Sequence, residues 1–576
     1  MSNRIAIALL LAPCLLAHAA APLELESSDG MVVTSQHLAS EVGAAILRQG
    51  GNAVDAAVAV GYALAVTHPC CGNLGGGGFF MIHLADGRNA FINFREKAPQ
   101  AARADMFLDA QGNVLGNKSV DGYLAVGVPG TVMGLETARQ KFGTLPRTTL
   151  IAPAIKLADE GFILTRGDVD VLAEGTRGFR DQPNVAAIFL KNGNPFVPGD
   201  RLIQKDLAAT LRAISAGGTD AFYHGAIPAA VGTAARAHGG LLTAEDFAAY
   251  TVTEPTPVTC SYRGYTIVSA PPPSSGGVTL CEMLQVLQGY SLAALGFHSS
   301  GSVHVMTEAM RYAYRDRNTY LGDPAFIDNP TARLLSASNA ETIRGHIQPN
   351  RATPSSALKG QASADEHGST THYSVVDHAG NAVSVTYTIN DSFGAKVIAG
   401  STGFLLNDEM DDFTAKPGVA NMFGLVQGKA NAVAPGKRPL SSMTPTLVLK
   451  DGKPVLIVGT PGGSRIITTV LEVIVNVIDH GMTLQEAVDA PRIHHQWWPD
   501  TIAAEPFALS ADTVKSLTGM GYKVVELEPW GAGNAAESIG IAPTDPPSAK
   551  ALGFPRPAVL YGAHDSRAPA GAAAAP

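Results

Sequence analysis

The stretch RATPSSALKGQASADEHGS, which ends at Ser369, divides the chain into two unlike parts. It is polar, small and poor in apolar residues, a loop signature. Before it the patterns are mostly helical. After it, alternation sets in. Thr371 to Asp377 and Ala382 to Asn390 read as strands joined at His378-Ala379-Gly380-Asn381. Thr446–Lys450 and Pro454–Gly459 read as a second hairpin around Asp451-Gly452, and Ile466 to His480 as a helix. Elements segregated in this way predict an α+β fold of stacked layers rather than a βαβ array. A polar loop of nineteen residues against a core hairpin exceeds the ~12–15 that compact domains usually carry without a functional reason.

The earlier part supplies the helices. Gln36 to Gln49 is amphipathic and stops at Gly50-Gly51; a second helix, N-capped by Asn52, runs to about Val66. Gly75–Gly78 then leads into a strand, Phe79 to His83. The region from about 150 to 345 reads as mostly helical, most clearly from Val303 to Tyr320. The closing GAAAAP reads as a frayed tail.

Charge and composition narrow the partners. With 46% hydrophobic and 16% charged residues, the chain is globular rather than disordered. A net charge of −9 without a basic block argues against nucleic acid. Arg4, the apolar run Ile5 to Leu16 and Ala17-His18-Ala19 form a secretory signal pattern, so residues 1–21 are expected to be removed and the rest to be periplasmic or secreted. No later run reaches the ~18 apolar residues that span a bilayer. Four cysteines remain: Cys70 and Cys71, neighbours that bond only with strain, and Cys260 and Cys281, which can pair but whose spacing does not fix it. No zinc-type spacing occurs, and no metal or organic cofactor is expected.

The chain has no GxSxG elbow, no HExxH and no P-loop. The Ser369-Thr370-Thr371-His372 junction is more informative. A chain cut before Thr370 would carry a free α-amine beside a hydroxyl. An α-amine titrates near ~7.7–8.0, which suits a general base, so one residue would supply nucleophile and base together. The alternative is a Thr-rich strand without chemistry. Thr388 and Asn390, placed on one face by strand alternation, end the partner strand. Glu409 and Asp412 add carboxylates, and Ser441 and Ser442 add paired hydroxyls. Gly459-Thr460-Pro461-Gly462-Gly463-Ser464-Arg465 is a glycine turn opening a helix, able to stabilise an oxyanion.

Together, TTHYSVVDHAGNAVSVTYTIN, NDEMDDF, KRPLSSMTPT and GTPGGSRIITTV resemble the γ-glutamyltranspeptidase (glutathione hydrolase) family of N-terminal-nucleophile hydrolases. Earlier segments match in order, among them NLGGGGFF, NFREKAP, PPPSSGG and EAMRYAYRDRNTYLGDP, so the resemblance covers about residues 30–567. It implies a four-layer αββα sandwich made as one precursor. That precursor would cut itself between Ser369 and Thr370 into a large subunit, 22–369, and a small one, 370–576, which remain a heterodimer and one structural unit. Thr370 would then attack the γ-glutamyl amide of glutathione and related compounds and pass the acyl group to water or to an amino acid or dipeptide. Thr388 would orient Thr370, and Gly462 and Gly463 would form the oxyanion hole. Arg95, Ser441 and Ser442 would hold the glutamyl carboxylate; Asn390, Glu409 and Asp412 would receive its ammonium.

The resemblance also includes a lid segment from about Pro417 to Val433. Phe423 stands at its tip where related bacterial enzymes often carry Tyr, so a gating hydroxyl contact is missing. Residues 543–557 read as a Pro-rich surface insertion. Two rivals remain: a glutaryl-cephalosporin acylase of the same fold, which would leave Glu409 and Asp412 without a cation, and a non-catalytic relative acting as a binding protein.

Overall fold

The computed structural model describes residues 24–358, 370–528, 534–542 and 559–576. The signal segment, Ser369 and the Pro-rich stretch lie outside the described residues. Two antiparallel sheets form the centre. Their strands are β1 (Leu25–Ser27), β2 (Gly30–Thr34), β3 (Gly77–His83), β4 (Asn89–Asn93), β5 (Val258–Tyr262), β6 (Tyr265–Ser269), β7 (Thr371–Asp377), β8 (Ala382–Thr388), β9 (Thr446–Lys450), β10 (Lys453–Val458), β11 (Ser538–Ala542), β12 (Val559–Ala563) and β13 (Ala572–Ala574). One sheet has the order β13-β2-β7-β8-β3-β4 and the other β1-β12-β11-β10-β9-β6-β5.

The two sheets stack through an apolar layer in which Val33, Phe79 and Met81 meet Val268, Leu447 and Ile457. Helices cover both outer faces. On the six-stranded sheet lie α1 (His37–Arg48), α2 (Ala53–Thr67), α3 (Thr131–Phe142) and, behind them, α4 (Arg147–Glu160). On the seven-stranded sheet lie α5 (Gly276–Leu287), α6 (Ser300–Tyr320) and α7 (Arg465–Ile478). The result is the four-layer αββα sandwich. Helix α2 shows why these residues take these places. It is apolar on every side and wholly buried, as a helix held between layers must be. Asn52 Oδ1 accepts the Val54 and Asp55 N–H groups at 3.0 and 2.9 Å, and Asp55 Oδ2 accepts the Asn52 N–H at 3.0 Å, closing a capping box.

The structure corrects three sequence expectations. The alanine tail is a strand: Ala572, Ala573 and Ala574 pair with Thr34, Val33 and Val32. Small residues carry little β signal of their own, and the edge of β2 supplies the order. Residues 258–269 form the β5–β6 hairpin inside a region that reads as helical. The strand before Asn390 ends at Thr388, and Asn390 itself turns at φ 77°. The first part of the polar stretch is a loop, as its composition predicts, with one 3-10 turn at Ser355–Ala357, and it is anchored. The Ser355 N–H donates to Asp500 at 2.7 Å, its hydroxyl donates to the Trp497 carbonyl at 2.6 Å, and Arg311 donates to that hydroxyl. Both cysteine pairs are bonded, Cys70 to Cys71 and Cys260 to Cys281, the latter tying β5 to α5.

Asp377 joins the β7–β8 turn to α2. Its carboxylate accepts the Ala53 N–H at 2.9 Å, the Ala379 and Asn381 N–H groups at 3.0 Å each and the Asn381 amide at 2.7 Å. Asp377→Ala leaves one buried and three partly buried donors without their acceptor and should cost about 2–4 kcal/mol in denaturant unfolding. A loss below about 0.5 kcal/mol would contradict this reading of the turn.

Candidate active site

Thr370 heads β7 and is buried at the end of the six-stranded sheet. Its Oγ1 lies 3.1 Å from Thr388 Oγ1 at the end of β8. Thr388 Oγ1 also accepts the Asn390 N–H at 2.8 Å, so the tight turn at Asn390, rather than strand alternation, joins these residues. The Asn390 amide then donates to the Asp408 carbonyl at 3.1 Å, next to Glu409. Two residues along β7, His372 is wholly buried. Burial pushes its imidazole down to about 3, so the ring is neutral. It bonds Thr386 Oγ1 at 2.8 Å and Ser374 Oγ at 3.2 Å.

The glycine turn rests on this strand. A Cβ at Gly459 would meet the His372 ring at 2.2 Å, so only glycine lets the turn come so close. Gly462 and Gly463 follow at φ 121° and 56°, and neither N–H has an acceptor among the described residues. Helix α7 begins two residues later.

Arg95 follows β4 and is buried. It donates to Glu409 through Nη1 and to Asp412 through Nη2, and its Nε reaches the Pro439 carbonyl at 3.3 Å. Burial opposes the Arg95 charge, but Glu409 and Asp412 outweigh it and hold the guanidinium above its ordinary value. Burial likewise drives Glu409 well above the carboxylate range, with Arg95 opposing. The segment after Pro439 carries the serines. Ser441 Oγ accepts the Met443 N–H at 3.1 Å, and Ser442 Oγ accepts from Arg317 at 2.8 Å. Ser441 and Ser442, Arg95, Glu409 and Asp412, and the Thr370–Thr388–Asn390 turn thus form one connected region.

The segment 417–433 packs against it through Met422 and Phe423. The Phe423 ring packs where a Gly463 side chain would be, and the Phe423 carbonyl accepts from Gln496 at 3.2 Å. The Met422 N–H donates to Asp411 at 2.9 Å, and Met422 Sδ sits 3.6 Å from the Asn390 amide.

Three contributors escape sequence reasoning: Glu96, Arg317 and Gln496. Glu96 is next to Arg95 in NFREKAP, buried, with neither carboxyl oxygen hydrogen-bonded. Burial raises it to about 7, against the pull of Arg95. Arg317 sits in an otherwise helical pattern, and the signal that could have found it is its place in the DRN run of a largely buried helix.

The Gamma-glutamyltranspeptidase family model matches residues 39–575. The chain belongs to this family. It is 56% identical to the glutathione hydrolase proenzyme of Pseudomonas sp. (strain A14), over 96% of this chain and 95% of that one. It is 47% identical to the glutathione hydrolase proenzyme of Escherichia coli (strain K12), over 98% and 97%. Among solved structures, the cephalosporin acylase from Bacillus halodurans superposes with a TM-score of 0.82 at 26% identity, covering 98% of this chain and 99% of that one. Among the described residues no helix is long and apolar enough to cross a membrane.

Folding raises the Glu96 carboxyl from 4.5 to about 7. Across that window the folded chain keeps a proton that the unfolded chain releases, so stability from this group is present below the window and lost as pH rises through it. Glu96→Gln removes the titration. The unfolding midpoint of the variant relative to the parent should therefore rise between about pH 5 and about pH 8. A pH-independent difference would contradict the assignment.

Proposed function

We propose that this chain is a self-processing γ-glutamyl hydrolase and transferase whose nucleophile is Thr370. The observation that carries the reading is the placement of Thr370, a buried hydroxyl 3.1 Å from Thr388 Oγ1 at the head of β7. In maturation, Thr370 Oγ attacks the Ser369 carbonyl and its proton passes to the departing Thr370 nitrogen. Water opens the resulting ester, leaving a carboxylate on Ser369 and a free α-amine on Thr370. Residues 22–369 and 370–576 remain together as large and small subunits.

In turnover, that amine takes the Oγ proton as the hydroxyl attacks the γ-carbonyl and returns it to the leaving amine. The Gly462 and Gly463 N–H groups receive the developing oxyanion, and Thr388 orients the hydroxyl. The acyl ester then passes to water or to the amine of an amino acid or dipeptide. Glutathione is the expected donor, and the scheme needs no cofactor.

Charge pairing supports the substrate class. Arg95 is ion-paired to both Glu409 and Asp412. An α-amino-acid zwitterion presents the same charges in reverse. Its carboxylate matches the Arg95 fork, with hydrogen bonds from Ser441 and Ser442, and its ammonium matches Glu409, Asp412 and Asn390. A glutaryl group supplies only the carboxylate. The signal pattern and the bacterial relatives support a periplasmic or secreted location.

A γ-glutamyl anilide and a glutaryl anilide, assayed side by side, test the class: release from the first and little from the second is expected, and the reverse order would favour the acylase reading. Thr370→Ala should remain one uncut chain without activity, whereas an uncut and fully active Thr370→Ala would contradict the mechanism. Arg95→Ala should mature yet show a KM about 100-fold higher for the γ-glutamyl donor, the scale of lost charged hydrogen bonds. An unchanged KM would remove Arg95 from the site.

A further inference from the structure

Arg317 is 1% exposed, yet its guanidinium makes no ion pair among the described residues. All its partners are neutral. Nε donates to Ser275 Oγ at 2.9 Å, Nη2 to Ser442 Oγ at 2.8 Å and Nη1 to Asn318 Oδ1 at 2.9 Å, with Gln427 Oε1 at 3.5 Å. Asp412 acts on Arg317 only through space and Arg95 repels it; a buried cation without a direct ion-pair partner is costly and is retained where it serves something. Burial lowers Arg317 to about 10, so it stays charged at neutral pH.

Its two serine contacts meet in one short segment. Ser275, in PPPSSGG, passes its own proton to the Ser441 carbonyl at 2.6 Å, and the Ser275 N–H donates to the same carbonyl at 2.8 Å. One guanidinium on α6 therefore fixes both the main chain at Ser441 and the side chain of Ser442. A guanidinium has no acceptor. Ser442 Oγ must therefore accept from Arg317, and its own O–H is left to donate elsewhere. No acceptor for that proton occurs among the described residues.

We propose that Arg317 is a positioning residue for the carboxylate end of the substrate: it fixes Ser442 as a hydrogen-bond donor toward the glutamyl α-carboxylate and places a positive charge behind it. This rests on the assignment of Arg95, Ser441 and Ser442 to that carboxylate. Arg317 touches neither the reacting atoms nor the substrate.

The test compares two donors, a γ-glutamyl anilide and its analogue with the α-carboxylate replaced by a carboxamide. Arg317→Lys keeps the charge but loses the fork. It should raise KM for the carboxylate donor about tenfold, the size of one charge-assisted hydrogen bond, leave kcat within about twofold, and leave KM for the carboxamide unchanged. In a Ser442→Ala background the same substitution should add only about threefold, because the Ser442 route is gone and the Ser275 route remains. Equal effects on both donors, or full additivity with Ser442→Ala, would overturn the proposal. Arg95→Ala separates the two levels. If it raises KM for the carboxylate donor alone while Arg317→Lys does not, only this inference fails; if Arg95→Ala is not selective, the carboxylate assignment fails too. Should Arg317→Lys stay uncut, Ser275→Ala keeps the guanidinium and removes its Nε anchor. It should give the same donor-selective rise at about threefold, and an absent or unselective change would overturn the proposal.

Discussion

Strand β7 lies between β2 and β8, and the rest of the structure depends on that pairing. Thr371 to Asp377 has a partner strand from the start of the chain on one side and its own hairpin partner on the other. Both sheets interleave strands from before and after residue 369 in this way. The six-stranded sheet takes β2, β3 and β4 from the first segment and β7, β8 and β13 from the second; the seven-stranded sheet takes β1, β5 and β6 from the first and β9 to β12 from the second. Neither segment closes a sheet by itself. Breaking the chain before Thr370 would leave every ladder hydrogen bond intact, and separating the pieces would expose the apolar layer between the sheets. The fold can thus tolerate a break at the one point where a new chain end would be chemically useful.

The same interleaving assembles the charges. Arg95 comes from the first segment, while Glu409 and Asp412 come from the second, and they meet where water is excluded. In such surroundings unpaired charges are expensive and matched ones are specific. On this charge pattern rests the proposed preference for a ligand that brings one positive and one negative charge. The Phe423 ring packs directly against Gly463 in the glycine turn.

Much of this was legible in the sequence. The β7–β8 and β9–β10 hairpins announce themselves through alternation and turn residues, and α2 through its cap and apolar run, because those signals are local. The strand at Ala572–Ala574 and the β5–β6 hairpin were not legible, since their order comes from partners distant in the chain. Asn390 lay in the right place for the wrong reason: a turn held by Thr388 Oγ1, not a shared strand face, brings it to the site. Ordered motifs pointed to Arg95, Glu409, Asp412 and the serine pair. Arg317 and Ser275 stayed hidden because they act on Ser441 and Ser442 from behind, and their spacing along the chain carries no trace of that contact.

The central claim is that the chain becomes an enzyme by acquiring a new N-terminus at Thr370. Intact-mass measurement of the purified protein, with N-terminal sequencing of each species, tests it most directly. Two species are expected, one beginning Thr370-Thr371-His372 with an unblocked α-amine. An active protein consisting of a single chain through residues 369 and 370 would contradict the account.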